Sequence, residues 1–256
     1  MKKLLSLVLA VVVALSLATF FACNNAPEQQ PEQPESEVVA ENGLTYTYSS
    51  YAGKKGYFVK VGSCTDVNIT VKASVNGTPV IAVADNGFKE VTTLATITLP
   101  EGLLKIGASA FESTGETLTS ITIPSSVTEI GANAFYASYV ATVNFSANAQ
   151  LKIIGDNAFC GSSLTAITLP ASLTNVGYGA FKDCEDLTSV TFASATNWGF
   201  NYAGNTLPPL PIQQSLAVPS VNATLLTTVD TTWTAQNKEA IPTGYAGFTL
   251  EKISQN

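Results

Sequence analysis

Apolar positions along the middle of this chain fall into one spacing that recurs. Leu118, Ile121 and Ile123 set it as L-x-x-I-x-I. The triplets Leu94/Ile97/Leu99, Val140/Val143/Phe145, Leu164/Ile167/Leu169 and Leu187/Val190/Phe192 repeat it. In each, the last two members alternate with polar neighbours, the pattern of a half-buried strand. Pro100, Pro124 and Pro170 follow three of these strands. A residue without an N–H stops a ladder there. Further on, Val127 and Ile130 point back toward a core, Gly131 turns the chain, and Ala134 and Phe135 close the unit. The glycine recurs at Gly107, Gly131, Gly155 and Gly177, at intervals of 24, 24 and 22, and Phe111, Phe135, Phe159 and Phe181 keep step with it. No segment here is long enough for a full amphipathic helix. The pattern predicts a strand, a second extended stretch and one short helical or 3₁₀ turn per repeat. One such unit cannot bury its apolar face, but stacked neighbours can.

A period of this length is the signature of a leucine-rich-repeat solenoid. The predicted fold is a β-rich repeat solenoid of about 23 residues per repeat, capped at both ends. The phrase Leu118-Thr-Ser-Ile-Thr-Ile-Pro-Ser-Ser-Val-Thr-Glu-Ile-Gly-Ala-Asn-Ala-Phe135 resembles the BspA-like, or Treponema-type, leucine-rich repeats of bacterial surface proteins. The clean resemblance covers residues 94–192. Cys184, three residues after Phe181, sits where that family often carries Cys; Thr114, Ser138 and Ser162 depart from it.

Outside the repeats the pattern changes. Leu44, Tyr46 and Tyr48 alternate with Thr, and Tyr57-Phe-Val-Lys-Val61 follows a Gly53–Gly56 loop, which reads as a hairpin. A second hairpin is expected at Ile69–Lys72 and Pro79–Ala82, around the Asn76-Gly77 turn. Residues 42–93 are read as an N-terminal β cap grading into a degenerate first repeat. Its tyrosines fit core and rim, or a sugar platform. After Phe192 the phrase stops, and residues 193–256 are read as a C-terminal cap.

The chain opens Met-Lys-Lys and runs apolar from Leu4 to Ala22, so residues 1–22 read as a signal peptide. Thr19-Phe20-Phe21-Ala22-Cys23 looks like a bacterial lipobox, which implies lipid attachment at Cys23. A permanent anchor helix or plain secretion is the alternative. Residues 23–41, rich in Pro, Glu and Gln, read as a disordered tether behind the lipid. Asn24 after Cys23 implies, by analogy with lipoprotein sorting, a place in the outer membrane, exposed at the surface.

Charge then narrows the function. Charged residues are 12% of the chain, net charge is −7, and every cation is Lys. That balance argues against nucleic acid, which needs clustered Lys and Arg. With no His, a triad or a His metal ligand is ruled out. Cys64, Cys160 and Cys184 are scattered, and read as free thiols or as one Cys160–Cys184 bond. Asp183, Glu185 and Asp186 crowd one turn without the spacing of an EF-hand. No catalytic constellation, metal site or cofactor motif is expected.

What remains is the sheet. If the apolar triplets point inward, fifteen intervening residues point outward, nine of them Thr and none charged or aromatic. Five strands about 4.8 Å apart give a face of only a few hundred Å², against roughly 800 Å² per partner in a standard interface. The expected function is a non-enzymatic surface binding module for adhesion or protein interaction, weak or multivalent. A structural envelope spacer without specific ligand is the alternative. Candidate partner-binding residues are Tyr136, Tyr139, Trp198 and Tyr202, with Thr98, Thr122, Asn144, Thr168 and Thr191 as the floor. The resemblance implies host extracellular-matrix or other surface proteins as partners, and contact with membrane only through the lipid.

Overall fold

The structure, a computed structural model, describes residues 38–194 in full and three further strands by their backbone. All belong to one compact unit, residues 33–256. It begins with an antiparallel meander of β1 (Val38–Glu41), β2 (Leu44–Tyr51) and β3 (Lys54–Val61). Two-residue turns at Asn42-Gly43 and Ala52-Gly53 join the strands, with φ of 50° and 72°, then 50° and 77°. Positive φ at both central residues matches the twist of the flanking strands. Val38–Glu41, expected within the tether, pairs instead with β2, placing Val39 beside Tyr46 over the cap core. Residues 23–37 lie outside the described residues. Tyr46 and Tyr57 are core, packed edge to face with centroids 6.4 Å apart.

The second expected hairpin forms only at its turn. Asn76-Gly77 joins β5 (Ser74–Val75) to β6 (Thr78–Val83). Ile69 instead belongs to β4 (Asn68–Thr70), which pairs in parallel with β7 (Thr96–Thr98), Ile69 beside Ile97. Burying Ile69 on the stack outweighs a local antiparallel pairing. The first coil of the solenoid therefore starts at Asn68.

From there the chain winds so that each coil contributes one strand to each of two parallel faces. The first face holds β4, β7, β9 (Ser120–Ile123), β11 (Thr142–Phe145), β13 (Ala166–Leu169) and β15 (Ser189–Phe192). The second holds β6, β8 (Lys105–Ile106), β10 (Glu129–Ile130), β12 (Ile153–Ile154) and β14 (Asn175–Val176). The second face continues antiparallel into β18 (Thr249–Lys252), β16 (Trp198–Tyr202) and β17 (Asn205–Thr206). Ile121, Val143 and Ile167 are buried, and Val143 lies directly beside Ile121 in the ladder. Between the faces, Phe88, Phe111, Phe135, Phe159 and Phe181 form one stack. Successive centroids are 5.5, 5.2, 5.1 and 5.4 Å apart, and the rings lie within 9° of parallel.

The turns around this stack are not helical; no helix occurs among the described residues. In each coil the residues two before and two after the Phe take left-handed φ: Asn86 and Glu90, Ser109 and Ser113, Asn133 and Ala137, Asn157 and Gly161, Gly179 and Asp183. A helix would direct each N–H along its own chain. Left-handed residues here turn them toward the next coil instead. Asn133, Phe135 and Ala137 donate to the carbonyls of Asp156, Ala158 and Cys160 at 2.9, 2.7 and 2.9 Å. The strain, about 1 kcal/mol or more for each non-glycine, is offset by satisfying a buried donor.

The recurring glycine has a cause the sequence hid. Gly131, Gly155 and Gly177 do not need positive φ. A Cβ there would lie 2.7, 2.5 and 2.5 Å from a backbone nitrogen of the preceding coil. The absence of a side chain lets the coils approach. Gly155→Ala should therefore destabilise the fold by at least about 2 kcal/mol through overpacking. Gly53→Ala, with open space around it, should lose only about 1 kcal/mol from its positive φ. Phe135→Ala should lose about 3–5 kcal/mol. Urea denaturation of the three variants measures the order.

Candidate functional site

The first face is the candidate site. Strand alternation sends the apolar residues inward and leaves Thr96, Thr98, Ser120, Thr122, Thr142, Asn144, Ala166 and Thr168 exposed, with Ser189 and Thr191 half-buried. Ladder register aligns the expected floor residues: Thr98 lies beside Thr70, Thr122 beside Asn144, and Thr168 beside Thr191. Tyr136 and Tyr139 are exposed, at 41% and 46%. They belong to the turn after Phe135 and line neither groove of this face. Trp198 and Tyr202 lie on β16, and their side chains are outside the described residues. Cys23 is also outside them.

The face is not a uniform lattice. β4 and β7 share three register pairs, β9 and β11 four, and β13 and β15 four. β11 and β13 share only Thr142 with Ala166, and β7 and β9 share none. The residue after each strand gives the reason. Ser146 donates its N–H to Ile123 O at 3.0 Å, and Ala193 donates to Leu169 O at 2.9 Å, closing those two interfaces. At the corresponding places Pro124 and Pro170 have no N–H to donate, and there the strands splay. Pro100 occupies the same place in coil 2, where three pairs persist. A longer turn adds to the break before β9. Six residues lie between Phe111 and Leu118, against four between Phe135 and Val140. There the Thr117 hydroxyl donates to Leu94 O at 2.7 Å.

Each splay opens a groove. One, of about 290 Å³, lies between β7 and β9, with Leu99, Glu101 and Pro124 in its walls. Hydrogen bonds from Ser125 hold the Glu101 carboxyl below its usual range. The other, of about 540 Å³, lies over β11, β13 and β15. Its wall is the loop after β11, where five residues lie between Phe145 and Leu151 instead of the three between Ile123 and Val127. Asn148, with φ of 59°, turns that loop. Phe145 is half-buried, whereas Ile123, Leu169 and Phe192 at the same position are buried.

Much of the Ser/Thr richness serves the stack itself. Ser126, Thr128, Ser172, Thr174 and Thr188 donate side-chain hydroxyls to carbonyls of the preceding coil. Sequence reasoning counted Thr188 as available surface. Its signal as an inter-coil donor was the recurrence of a hydroxyl at one offset from the strand.

Residues 63–188 match the family model of the BspA type leucine rich repeat region, in 6 copies. They form a BspA-type leucine-rich-repeat region. A leucine-rich repeat protein of T. pallidum matches at 29% identity and a TM-score of 0.51, covering 57% of this chain and 68% of that one. A leucine-rich repeat protein of Bacteroides ovatus matches at 25% identity and a TM-score of 0.51, covering 59% of this chain and 40% of that one. No curated protein matches the chain. The BspA-type scaffold is consistent with a protein-interaction module.

In this BspA-type region the position three residues after each Phe forms a buried column of Thr114, Ser138, Ser162 and Cys184. Cys184 Sγ donates to Phe159 O at 2.9 Å and sits 3.5 Å from Ser162 Oγ. Cys64, Cys160 and Cys184 are free. Burial pushes the Cys184 thiol up to about 11. A side-chain cluster on the second face ties the cap to the repeats. The Tyr51 hydroxyl donates to Glu129 at 2.8 Å, Glu129 pairs with Lys105 at 2.9 Å, and Lys105 lies over the Tyr51 ring. Burial works against the Lys105 charge, but Glu129 outweighs it and holds the ammonium above its usual range.

An unfolded thiol ionises near pH 8.5. The folded Cys184 keeps its proton to about 11. Its contribution is therefore fully present below about pH 8.5, and is lost as pH rises from there to about 11. The loss should be roughly 2–3 kcal/mol. Comparing urea midpoints of the parent and Cys184→Ala across that window should show the extra slope only in the parent. At pH 8, a disulfide reagent should leave Cys184 unmodified in the native chain.

Proposed function

We propose that this chain is a non-enzymatic, lipid-anchored surface protein whose BspA-type repeat region is a binding module for adhesion or protein interaction. The observation that carries the reading is the first face: five adjacent strand rungs from β7 to β15 whose ten outward residues carry no charge. The leader supports the anchoring, with Lys2 and Lys3, the apolar run to Ala22 and Cys23 as the lipidated residue. Asn24 favours the outer membrane. Partners would be host extracellular-matrix or other surface proteins.

Area sets the strength. A face of a few hundred Å² lies below the roughly 800 Å² per partner of a standard interface, so each contact is weak, and firm adhesion requires many copies on one cell. Tyr136 and Tyr139, exposed on the turn after Phe135, are proposed to add to the contact, and Trp198 and Tyr202, which lie on β16 in the second-face sheet, are proposed as separate anchors outside that face. Aromatic residues dominate interface energetics.

One observation favours a second reading, an envelope spacer without specific ligand. The hydroxyls that donate between coils explain part of the Thr content without any partner. Cells displaying the chain separate the readings through adhesion to immobilised matrix proteins. Under the binding reading, Tyr139→Ala and Trp198→Ala each reduce adhesion several-fold while surface display stays constant. Adhesion that survives deletion of residues 42–256 behind an intact lipid anchor would instead establish the spacer.

A further inference from the structure

The geometry points to a saccharide site: the 540 Å³ groove over β11, β13 and β15 takes an uncharged oligosaccharide. The inference goes beyond the proposed protein adhesion, and concerns one groove rather than the whole face.

Four features of the groove select this ligand. First, none of the fifteen residues lining it is charged or titratable. A carboxylate, phosphate or ammonium placed there would give up its hydration without a counter-charge, which is unfavourable. The ligand is therefore neutral.

Second, the polar groups converge from two sides. Thr142, Asn144 and Thr168 rise from the strands, and Ser146 and Asn148 stand in the loop wall. Each hydroxyl or amide can both donate and accept. Vicinal sugar hydroxyls have the same dual character.

Third, the backbone adds acceptor capacity. Pro170 cannot donate to the Phe145 carbonyl, whereas Ser146 does donate to Ile123 one coil earlier. An extended peptide fits this poorly. It would bring one N–H for each C=O, and it prefers a free sheet edge offering both. This groove lies between neighbouring strands rather than at a free edge. The hydroxyls of a polyol can donate to the Phe145 carbonyl that Pro170 does not reach.

Fourth, the floor has an apolar part. The exposed Ala166 and the half-buried Phe145 and Pro170 line it. A pyranose has one apolar C–H face that can lie on such a surface while its hydroxyls reach the rim. The size agrees as well. Pockets for small ligands span about 300–1,000 Å³, and the groove's volume falls within that range. The same dimensions are too small for a protein partner on its own.

Isothermal titration of the purified full chain in detergent tests the site. The probes are cellotetraose, mannotetraose and N-acetylchitotetraose. Tetragalacturonate serves as the acidic control, and a blocked Ala-Ser-Thr-Ala peptide as the peptide control. At least one neutral tetrasaccharide should bind saturably at one per chain. Asn144→Ala and Asn148→Ala, both on exposed side chains, should weaken it tenfold or more. Pro170→Ala restores the missing N–H, closes the cleft and should also weaken it. Thr98→Ala, in the other groove, should leave it within twofold. Circular dichroism melting confirms that each variant is folded. The inference is overturned if no neutral tetrasaccharide binds, if tetragalacturonate or the peptide binds as tightly, or if Asn144→Ala and Asn148→Ala bind unchanged. Failure here leaves the adhesion result of Tyr139→Ala and Trp198→Ala untouched, and lost adhesion with intact sugar binding is equally readable.

Discussion

Hydrogen bonding from each coil to the next is the constraint on which the rest of the structure depends. Parallel strands must sit about 4.8 Å apart, and every coil must repeat its neighbour's shape at that spacing. The Phe stack follows, because identical rings in adjacent coils can only lie nearly parallel about 5 Å apart. The glycine column follows too, since a Cβ at Gly155 or Gly177 would enter the backbone below. So do the left-handed turns beside each Phe, which turn N–H groups from along the chain to across it.

The same constraint explains where the face can open. A coil is locked to its neighbour by a chain of donors, and proline removes one. Pro124 and Pro170 sit where Ser146 and Ala193 close their interfaces, and both grooves lie at the prolines. The second face stays in register through β8, β10, β12 and β14, and the Phe stack continues between. The fold therefore tolerates open seams on one side because the other side and the core hold the spacing. The two grooves lie where the repeat is least regular.

The repeat with the poorest match to the common phrase, Val140 to Phe159, supplies most of the larger groove. It has two residues fewer before its strand than its predecessor and two more after it, so the period of 24 survives. The surplus becomes the loop of Ser146 to Ala149, and the lost proline lets Ser146 close against Ile123. The larger groove thus has one tight neighbour and one loose one.

The order of apolar residues by itself determined the solenoid. The triplets, the glycine and the Phe in step imply coils of one length stacked with Ile121, Val143 and Ile167 inward, because nothing else buries a face that narrow. It also determined that the outward strand residues are uncharged, since strand alternation assigns them directly. Only the tertiary structure decided the rest. Left-handed turns could not be told from helical ones, because Glu90, Ser109, Ser113 and Ala137 have no strong local preference for positive φ and adopt it to satisfy the next coil. The bend of β4 away from its expected hairpin, and β1 within the expected tether, depended on partners far along the chain. The two grooves required knowing which proline faces which carbonyl, a relation between coils that no single repeat contains.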